Sequence, residues 1–302
     1  MKLNEAVAQY LQQLVIEDKS KNTIKGYTMC FKRFMLWLES SWGNIAQIED
    51  VSPTVVRDFK SYLESRIDRR TGKQLAPNTI NQNLIALKSL FLFAKRNGVN
   101  FRSEPISAIK LKSIASQNDI RWLTRQEVNQ IMHAIDVLER TGEKRKALYK
   151  AIVAILVNCG LRVEELSDLR LSDVVLDSGL VIVRSGKGGK YRHVPFSVKT
   201  RDILEKWLDH HGGKSPYLFY SQRSSQMSVR AIQHMIEKLS DLTKISFTVH
   251  QLRHTYAKQV TNERGIEAAA TLLGHSNIQT TRRYTTPSMQ ELRDAIERIE
   301  FE

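Results

Sequence analysis

Two cysteines in 302 residues, Cys30 and Cys159, are too few for a disulfide framework. Cys159 follows an apolar run, where a small buried residue belongs, and a structural role is expected for both. Long apolar runs are missing as well. The longest uninterrupted one, AIVAILV at residues 151–157, is far below the ~20 residues of a membrane span. The opening stretch MKLNEAVAQYLQQL is broken by Asn4, Glu5, Gln9, Gln12 and Gln13, so no signal peptide is expected. These absences predict a cytoplasmic protein of a reducing compartment with no membrane partner. No internal repeat and no low-complexity segment is present. No Gly-Lys-Ser/Thr ends the required Gly-x-x-x-x-Gly-Lys frame before a helix, which excludes a phosphate-binding P-loop.

Acidic side chains are in short supply. Asp and Glu number 32 against 46 Lys and Arg, a net charge of +14 with a pI near 9.8. Such a surplus points to an anionic partner, and nucleic acid is the commonest large one. Residues 1–115 hold 18 basic and 10 acidic side chains, and residues 116–302 hold 28 and 22. Both halves are basic, which excludes a lone basic tail and fits a protein that grips its partner from two sides. The length suits two domains, and 41% hydrophobic residues can fill their cores.

Helical periodicity dominates the first part. Leu3, Val7, Leu11 and Leu14 share one face. A second helix is expected from a cap at Asn22, with Ile24, Tyr27, Phe31, Phe34 and Leu38 at helical spacing. Ser52 caps a third, with Pro53 at its first position. RRTGKQLAPNTI reads as a turn, and a long helix follows Pro77 and stops at Gly98. The surface of this all-helical domain carries Lys19, Lys21, Lys25, Lys32, Lys73, Lys88, Lys95 and Arg96. Of these, Lys25, Lys32, Lys73, Lys88, Lys95 and Arg96 are the candidates for binding the anionic partner. The stretch at 112–120 has no apolar period and reads as a linker. Thr124 with Glu127 then forms a capping box.

The second part mixes periods. KALYKAIVAILVNCGLRVEELSDLR reads as helix, Gly turn, helix. SGLVIVRSGKGGKYRHVPFS reads as two short strands around a Gly-rich hairpin. Helices are expected near 198–211, 228–241, 250–263, 267–273 and 288–299. The fold class is therefore mainly α: an N-terminal helical bundle, then an α+β domain with a small antiparallel sheet.

Four short stretches carry candidate chemistry. In CGLRVEELSDLR, Arg162 opens a helix whose first turn holds Glu164 and Glu165, and a surface salt bridge to either would explain it. In RSGKGGKYRHVP, Lys187 sits on a hairpin able to reach into a groove, although hairpin lysines are commonly just solvated. In HQLRH, His250 and Arg253 are three apart on a helix and share a face, with His254 a further candidate for it. A metal site is disfavoured there, because Arg253 repels a cation and attracts an anion. In LLGHSNIQTTRRYTTP, His275 follows Gly274, and Tyr284 stands nine residues on, without an obvious core role. Two arginines, two histidines, a lysine and a tyrosine in a basic protein suit attack on a phosphodiester. Cationic forks stabilise the charge that gathers on the non-bridging oxygens. A Tyr hydroxyl can form a covalent intermediate that keeps the bond energy.

Arg162 in GLRVEEL, Lys187 in GKGGK, HQLRH at 250–254, His275 ending LLGH, and Tyr284 occur in an order that resembles the tyrosine recombinase (phage integrase) family. NTIKGYTMCFKRFMLWL and APNTINQNLIALKSLFLFA are similar to that family's core-binding domain, so the resemblance covers nearly the whole chain. It implies a DNA-binding domain at 1–112, a linker at 113–120 and a catalytic domain at 121–302. It implies that Tyr284 attacks to form a 3′-phosphotyrosyl, that Arg162 and Arg253 bind the non-bridging oxygens, and that Lys187 protonates the 5′ leaving oxygen. His250 would help remove the Tyr proton, His275 would hydrogen-bond the phosphate, and Glu165 would support the first arginine. His254 matches a position usually read as structural and is left out of the site. The resemblance implies neither metal nor cofactor. Its expected partners are double-stranded DNA with paired recombination sites and further copies of the chain, a tetramer joined through C-terminal helices.

The tail fits that expectation. Met289, Leu292, Ile296 and Ile299 fall on one face of a short helix that must dock on its own domain or on a neighbour. The expected activity is site-specific breakage, rejoining and strand exchange, in the service of a transposon, a host chromosome or a phage. The two-part layout leans toward Xer-like or resolvase-like enzymes. A type IB topoisomerase, and a DNA-binding protein with an unused site, would share the same residues.

Overall fold

The structure is a computed structural model that describes residues 1–43, 45–68, 71–113, 121–139, 141–184, 191–275, 277–282, 284–285 and 293. The expected hairpin tip with Lys187, most of the expected linker and nearly all of the expected tail helix lie outside the described residues. The chain divides into two compact units, Met1–Gln117 and Asn118–Glu302.

The first unit is built from α1 (Leu3–Ile16), α2 (Lys21–Trp42), α3 (Pro53–Ser65) and α4 (Pro77–Arg96). Their apolar faces meet in one cluster with Phe31, Phe34, Phe59, Leu84, Leu87 and Phe91 at its centre. Burying these rings and branched chains drives the bundle together. α2 begins earlier than its pattern suggests, because Ser20 and not Asn22 is the cap: the Thr23 N–H donates to the Ser20 hydroxyl at 3.1 Å. Ser52 caps α3 and Pro53 opens it. The chain leaving the unit is tied down by Asn81. Its side-chain amide donates to the Lys112 carbonyl at 3.0 Å, and its oxygen accepts from the Lys112 N–H at 2.8 Å. Lys112 thus belongs to this unit and not to a free linker. Lys25, Lys32, Lys73, Lys88, Lys95 and Arg96 are all exposed. Lys95 is paired with Glu104 at 2.5 Å. None of the ion pairs among the described residues involves the other five.

The second unit comprises α5 (Arg125–Asp136), α6 (Glu143–Asn158), α7 (Val163–Asp168), β1 (Val174–Val175), β2 (Leu180–Arg184) and β3 (Tyr191–Pro195). It continues with α8 (Val198–His211), α9 (Val229–Thr243), α10 (Val249–Leu273) and α11 (Gln279–Arg282). Thr124 and Glu127 close the capping box of α5. Every residue from Ala151 to Val157 of α6 is buried. That second half of the helix, apolar all round, lies in the centre of the core, and α5, α7, α8 and α10 pack against α6. No helix among the described residues is long and apolar enough to cross a membrane.

The sheet is antiparallel in the order β1-β2-β3. β1, only two residues long, carries too little pattern to be expected from sequence. In the register Val181 faces Val194 and Val183 faces Arg192. Directly paired residues share a face, so Arg192 lies on the side of the buried Val181, Val183 and Val194.

Two glycines set the path of the chain around the site. α10 is broken at Gly265, whose φ of 82° and ψ of 174° lie in a region that is essentially glycine's own. Leu273 is twenty residues beyond Arg253, about 30 Å along an unbroken helix. The break instead lets the Leu273 carbonyl return to 2.8 Å from the Arg253 guanidinium. Gly160, with φ of 60°, follows α6 where the Tyr256 ring of α10 presses on the backbone. A Cβ there would lie 2.2 Å from that ring. Gly265→Ala meets no neighbour within 4 Å and should cost only its backbone strain, about 1–3 kcal/mol. Gly160→Ala adds a clash and should cost a further ~1–3 kcal/mol. Urea unfolding of the two variants measures the difference, and equal losses would deny the close approach of Tyr256.

Candidate active site

Arg253 is 6% exposed although it carries a full charge. Helical spacing on α10 turns it inward, beside Leu252 and Tyr256, while His250 stays exposed at the helix start. Its guanidinium donates to the carbonyls of Gly160 and Leu273, and lies 3.2 Å from His275 Nε2. Burial lowers its pKa, the nearby Arg162 lowers it further, and Glu165 opposes both. The result, about 10, leaves it charged at neutral pH.

Glu165 is the counter-charge. It sits at the third position of α7 and reaches back to accept from the Arg162 N–H at 2.7 Å, as a helix-opening carboxylate does. The same carboxylate accepts from Arg162 Nη1 at 2.9 Å and from Arg192 Nη1 and Nη2 at 2.8 and 2.7 Å. Arg253 Nη1 lies 3.8 Å from it. Burial alone would push this carboxyl up; the bonds and charge of Arg192, then those of Arg162, prevail and hold it at about 2. One carboxylate thus faces three guanidiniums. Among the described residues two positive charges are left over, and the Arg162 side chain is 41% exposed. That arrangement is made for an anion with several oxygens.

His275 follows the helix break and the Gly274 turn. An arginine can only donate, so the His275 Nε2 facing Arg253 is the unprotonated nitrogen. Nδ1 then carries the hydrogen and donates to the Thr281 hydroxyl at 2.8 Å. Tyr284 is 2% exposed and packs in the core of the unit. Its hydroxyl lies 2.7 Å from the Nδ1 of His254, the residue that follows Arg253 on α10.

Arg162, Glu165, Arg253, His275 and Tyr284 are therefore brought together. His250 is exposed and makes no hydrogen bond to Tyr284. Lys187 lies outside the described residues. His254, read as a structural position, lies 2.7 Å from the Tyr284 hydroxyl. One contact was not read from the sequence. Arg192 engages Glu165, and alternation along YRHVP, which sets it on the same face as the apolar Val194, was the available signal. Tyr284 itself has the core environment that its basic neighbours in sequence had argued against. A cleft of about 920 Å³ lined by Lys144, Arg145, Trp207, Tyr220, Arg223 and Lys238 contains none of these groups.

Comparison with known proteins accords with this geometry. Residues 121–291 match the phage integrase family, and residues 7–98 match the phage integrase N-terminal SAM-like domain. The chain belongs to the phage integrase family. This tyrosine recombinase is 31% identical over 303 residues to the tyrosine recombinase XerA of Pyrococcus horikoshii, covering 99% of this chain and 94% of that one. It is 28% identical to the TnP I resolvase of Bacillus thuringiensis, covering 98% and 99%. Its fold is similar to that of the XerH site-specific recombinase solved on a palindromic difH substrate, with a TM-score of 0.72, 22% identity and coverage of 91% and 79%. The protein is accordingly an enzyme of site-specific DNA recombination.

The buried hydroxyl is open to a chemical check. Tyr191 is 60% exposed and Tyr284 is 2% exposed, so tetranitromethane should nitrate Tyr191 first and spare Tyr284 in the DNA-free recombinase. His254→Ala should speed nitration of Tyr284 several-fold, as read by peptide mapping. Rapid nitration of Tyr284 in the parent protein would contradict the buried placement.

Proposed function

We propose that the Tyr284 hydroxyl attacks a scissile phosphodiester, forming a 3′-phosphotyrosyl bond and releasing a 5′-hydroxyl strand end. Arg162 and Arg253 hold the two non-bridging oxygens, where charge accumulates in the transition state. Lys187 gives a proton to the departing 5′ oxygen, and His275 hydrogen-bonds the phosphate. His254 keeps the Tyr284 hydroxyl hydrogen-bonded in the absence of DNA, and His250 helps take its proton once DNA is bound. The observation that carries this reading is the Tyr284 hydroxyl held 2.7 Å from His254, the residue that follows Arg253 on α10, in the unit where Arg162, Arg192 and Arg253 gather about Glu165.

In this reading residues 1–112 bind DNA, residues 113–120 connect, and residues 121–302 carry out catalysis. Lys25, Lys32, Lys73, Lys88, Lys95 and Arg96 contact phosphates, with Lys95 first giving up Glu104. A tetramer forms on two paired sites through the C-terminal segment, and strands pass between the two duplexes. The enzyme works in the cytoplasm, on the nucleoid. The names of its relatives, XerA and TnP I resolvase, favour resolution of chromosome dimers or transposon cointegrates over phage integration.

A nicked suicide DNA carrying the recombination site should trap the protein covalently in EDTA and without ATP. Tyr284→Phe should bind that DNA and never become trapped; trapping of the Phe variant would remove Tyr284 as the nucleophile. Lys187→Ala should cleave ordinary DNA slowly and recover on a 5′-bridging phosphorothiolate, whose leaving group needs no proton. Arg162→Ala and Arg253→Ala should not recover, and equal recovery of all three would overturn the division of roles.

A further inference from the structure

Arg192 uses its guanidinium on two sides. Nη1 and Nη2 donate to the two separate oxygens of Glu165 at 2.8 and 2.7 Å, and Nε donates to the Leu272 carbonyl at 2.9 Å. Its stem lies against the backbone of Gly274, where a Cβ would come within 3.1 Å of Arg192 Cδ and Nη1. A single side chain on β3 therefore touches the carboxylate at the start of α7, the last turn of α10, and the residue before His275. It is 13% exposed, too enclosed to be a surface ion pair of the weak kind.

The charges make this placement consequential. Glu165 has one negative charge, and Arg162 and Arg253 both stand near it. An unengaged carboxylate would pair two-pronged with one of them and cancel the charge meant for a phosphate. Arg192 occupies both oxygens with the fork geometry that arginine alone offers. That leaves Arg162 a single side-chain bond and Arg253 at 3.8 Å. The tie to Leu272 matters in a second way, because Leu273 holds Arg253 and His275 lies two residues beyond.

We propose that Arg192 is a positioning residue of the recombination site: it engages Glu165 so that Arg162 and Arg253 keep their charge for the phosphate, and it anchors the turn that presents His275. The proposal rests on the reading of Arg162 and Arg253 as phosphate-binding groups.

Three variants of the full chain test it: Arg192→Lys, Arg192→Met and Glu165→Gln, with the double variant. Covalent trapping is timed on saturating nicked DNA, and DNA affinity is measured separately. Arg192→Lys keeps the charge but cannot span both oxygens, and should cleave roughly 10- to 100-fold more slowly at unchanged affinity. Arg192→Met should lose at least as much, and this penalty should shrink at least about threefold in the Glu165→Gln background, because no carboxylate then remains to be engaged. Carboxyl NMR of the DNA-free protein gives a readout independent of cleavage. Among the described residues the charged groups facing Glu165 are Arg162, Arg192 and Arg253; the Tyr256 hydroxyl is pushed by burial to about 12 and stays neutral. Without Arg192 the titration midpoint of Glu165 should rise from about 2.

Parental cleavage rates in Arg192→Lys, an equal Arg192→Met penalty in both backgrounds, or an unmoved Glu165 titration would each overturn the proposal. If Arg192→Met fails to fold, Arg192→Lys, similar in length and charge, still decides. If the parent protein itself forms no Tyr284 adduct, the recombination chemistry fails, while the Glu165 titration still reports whether Arg192 holds the carboxylate.

Discussion

An arginine with 6% of its surface exposed must find in the protein what its charge gives up in water. Arg253 finds two main-chain carbonyls, one imidazole nitrogen and, further off, one carboxylate. Those groups come from the end of α6, the end of α10, the turn after it and the start of α7. Four separate parts of the unit are arranged by the need to solvate one charge. The long apolar α6, the sharp turn at Gly160 and the break at Gly265 all serve to bring the acceptors to it.

The other charges follow from that placement. A buried arginine needs a counter-ion close enough to steady it and not so close as to cancel it. Glu165 meets both demands because its own oxygens are divided among the Arg162 side chain, the Arg162 main-chain N–H and Arg192. The small sheet thereby becomes part of the chemistry, since β3 is the element that brings Arg192 to the carboxylate. Tyr284 joins the set through His254, the residue after Arg253 on α10, which restrains its hydroxyl.

Much of this was legible in the sequence, for identifiable reasons. Amphipathic repeats such as Ile24, Tyr27, Phe31, Phe34 and Leu38 mark helices because burial of one face decides them. Capping signals at Ser52, Thr124 and Glu127 are local and held. Between Ser20 and Asn22, by contrast, either residue can cap, and only the backbone path selects Ser20. Arg162, Glu165, Arg253, His275 and Tyr284 stood out by residue type and order. Arg192 did not, because its part depends on a contact 27 residues away in the chain. Tyr284 looked like a surface residue for the same reason: its sequence neighbours are polar, and its spatial neighbours are the core.

The cradle of Arg253 has a consequence for how this protein tolerates mutation. Two of its acceptors, at Gly160 and Leu273, are main-chain oxygens, and every amino acid carries that oxygen. No exchange of side chain at Leu273 can delete its acceptor, as a change of Glu165 would delete a carboxylate. What can remove these acceptors is a different course of the backbone. Genetic vulnerability therefore shifts from one residue that touches the arginine, Leu273, to the exposed glycine that bends the chain, Gly265, which touches nothing in the site. At Gly160 the two roles coincide.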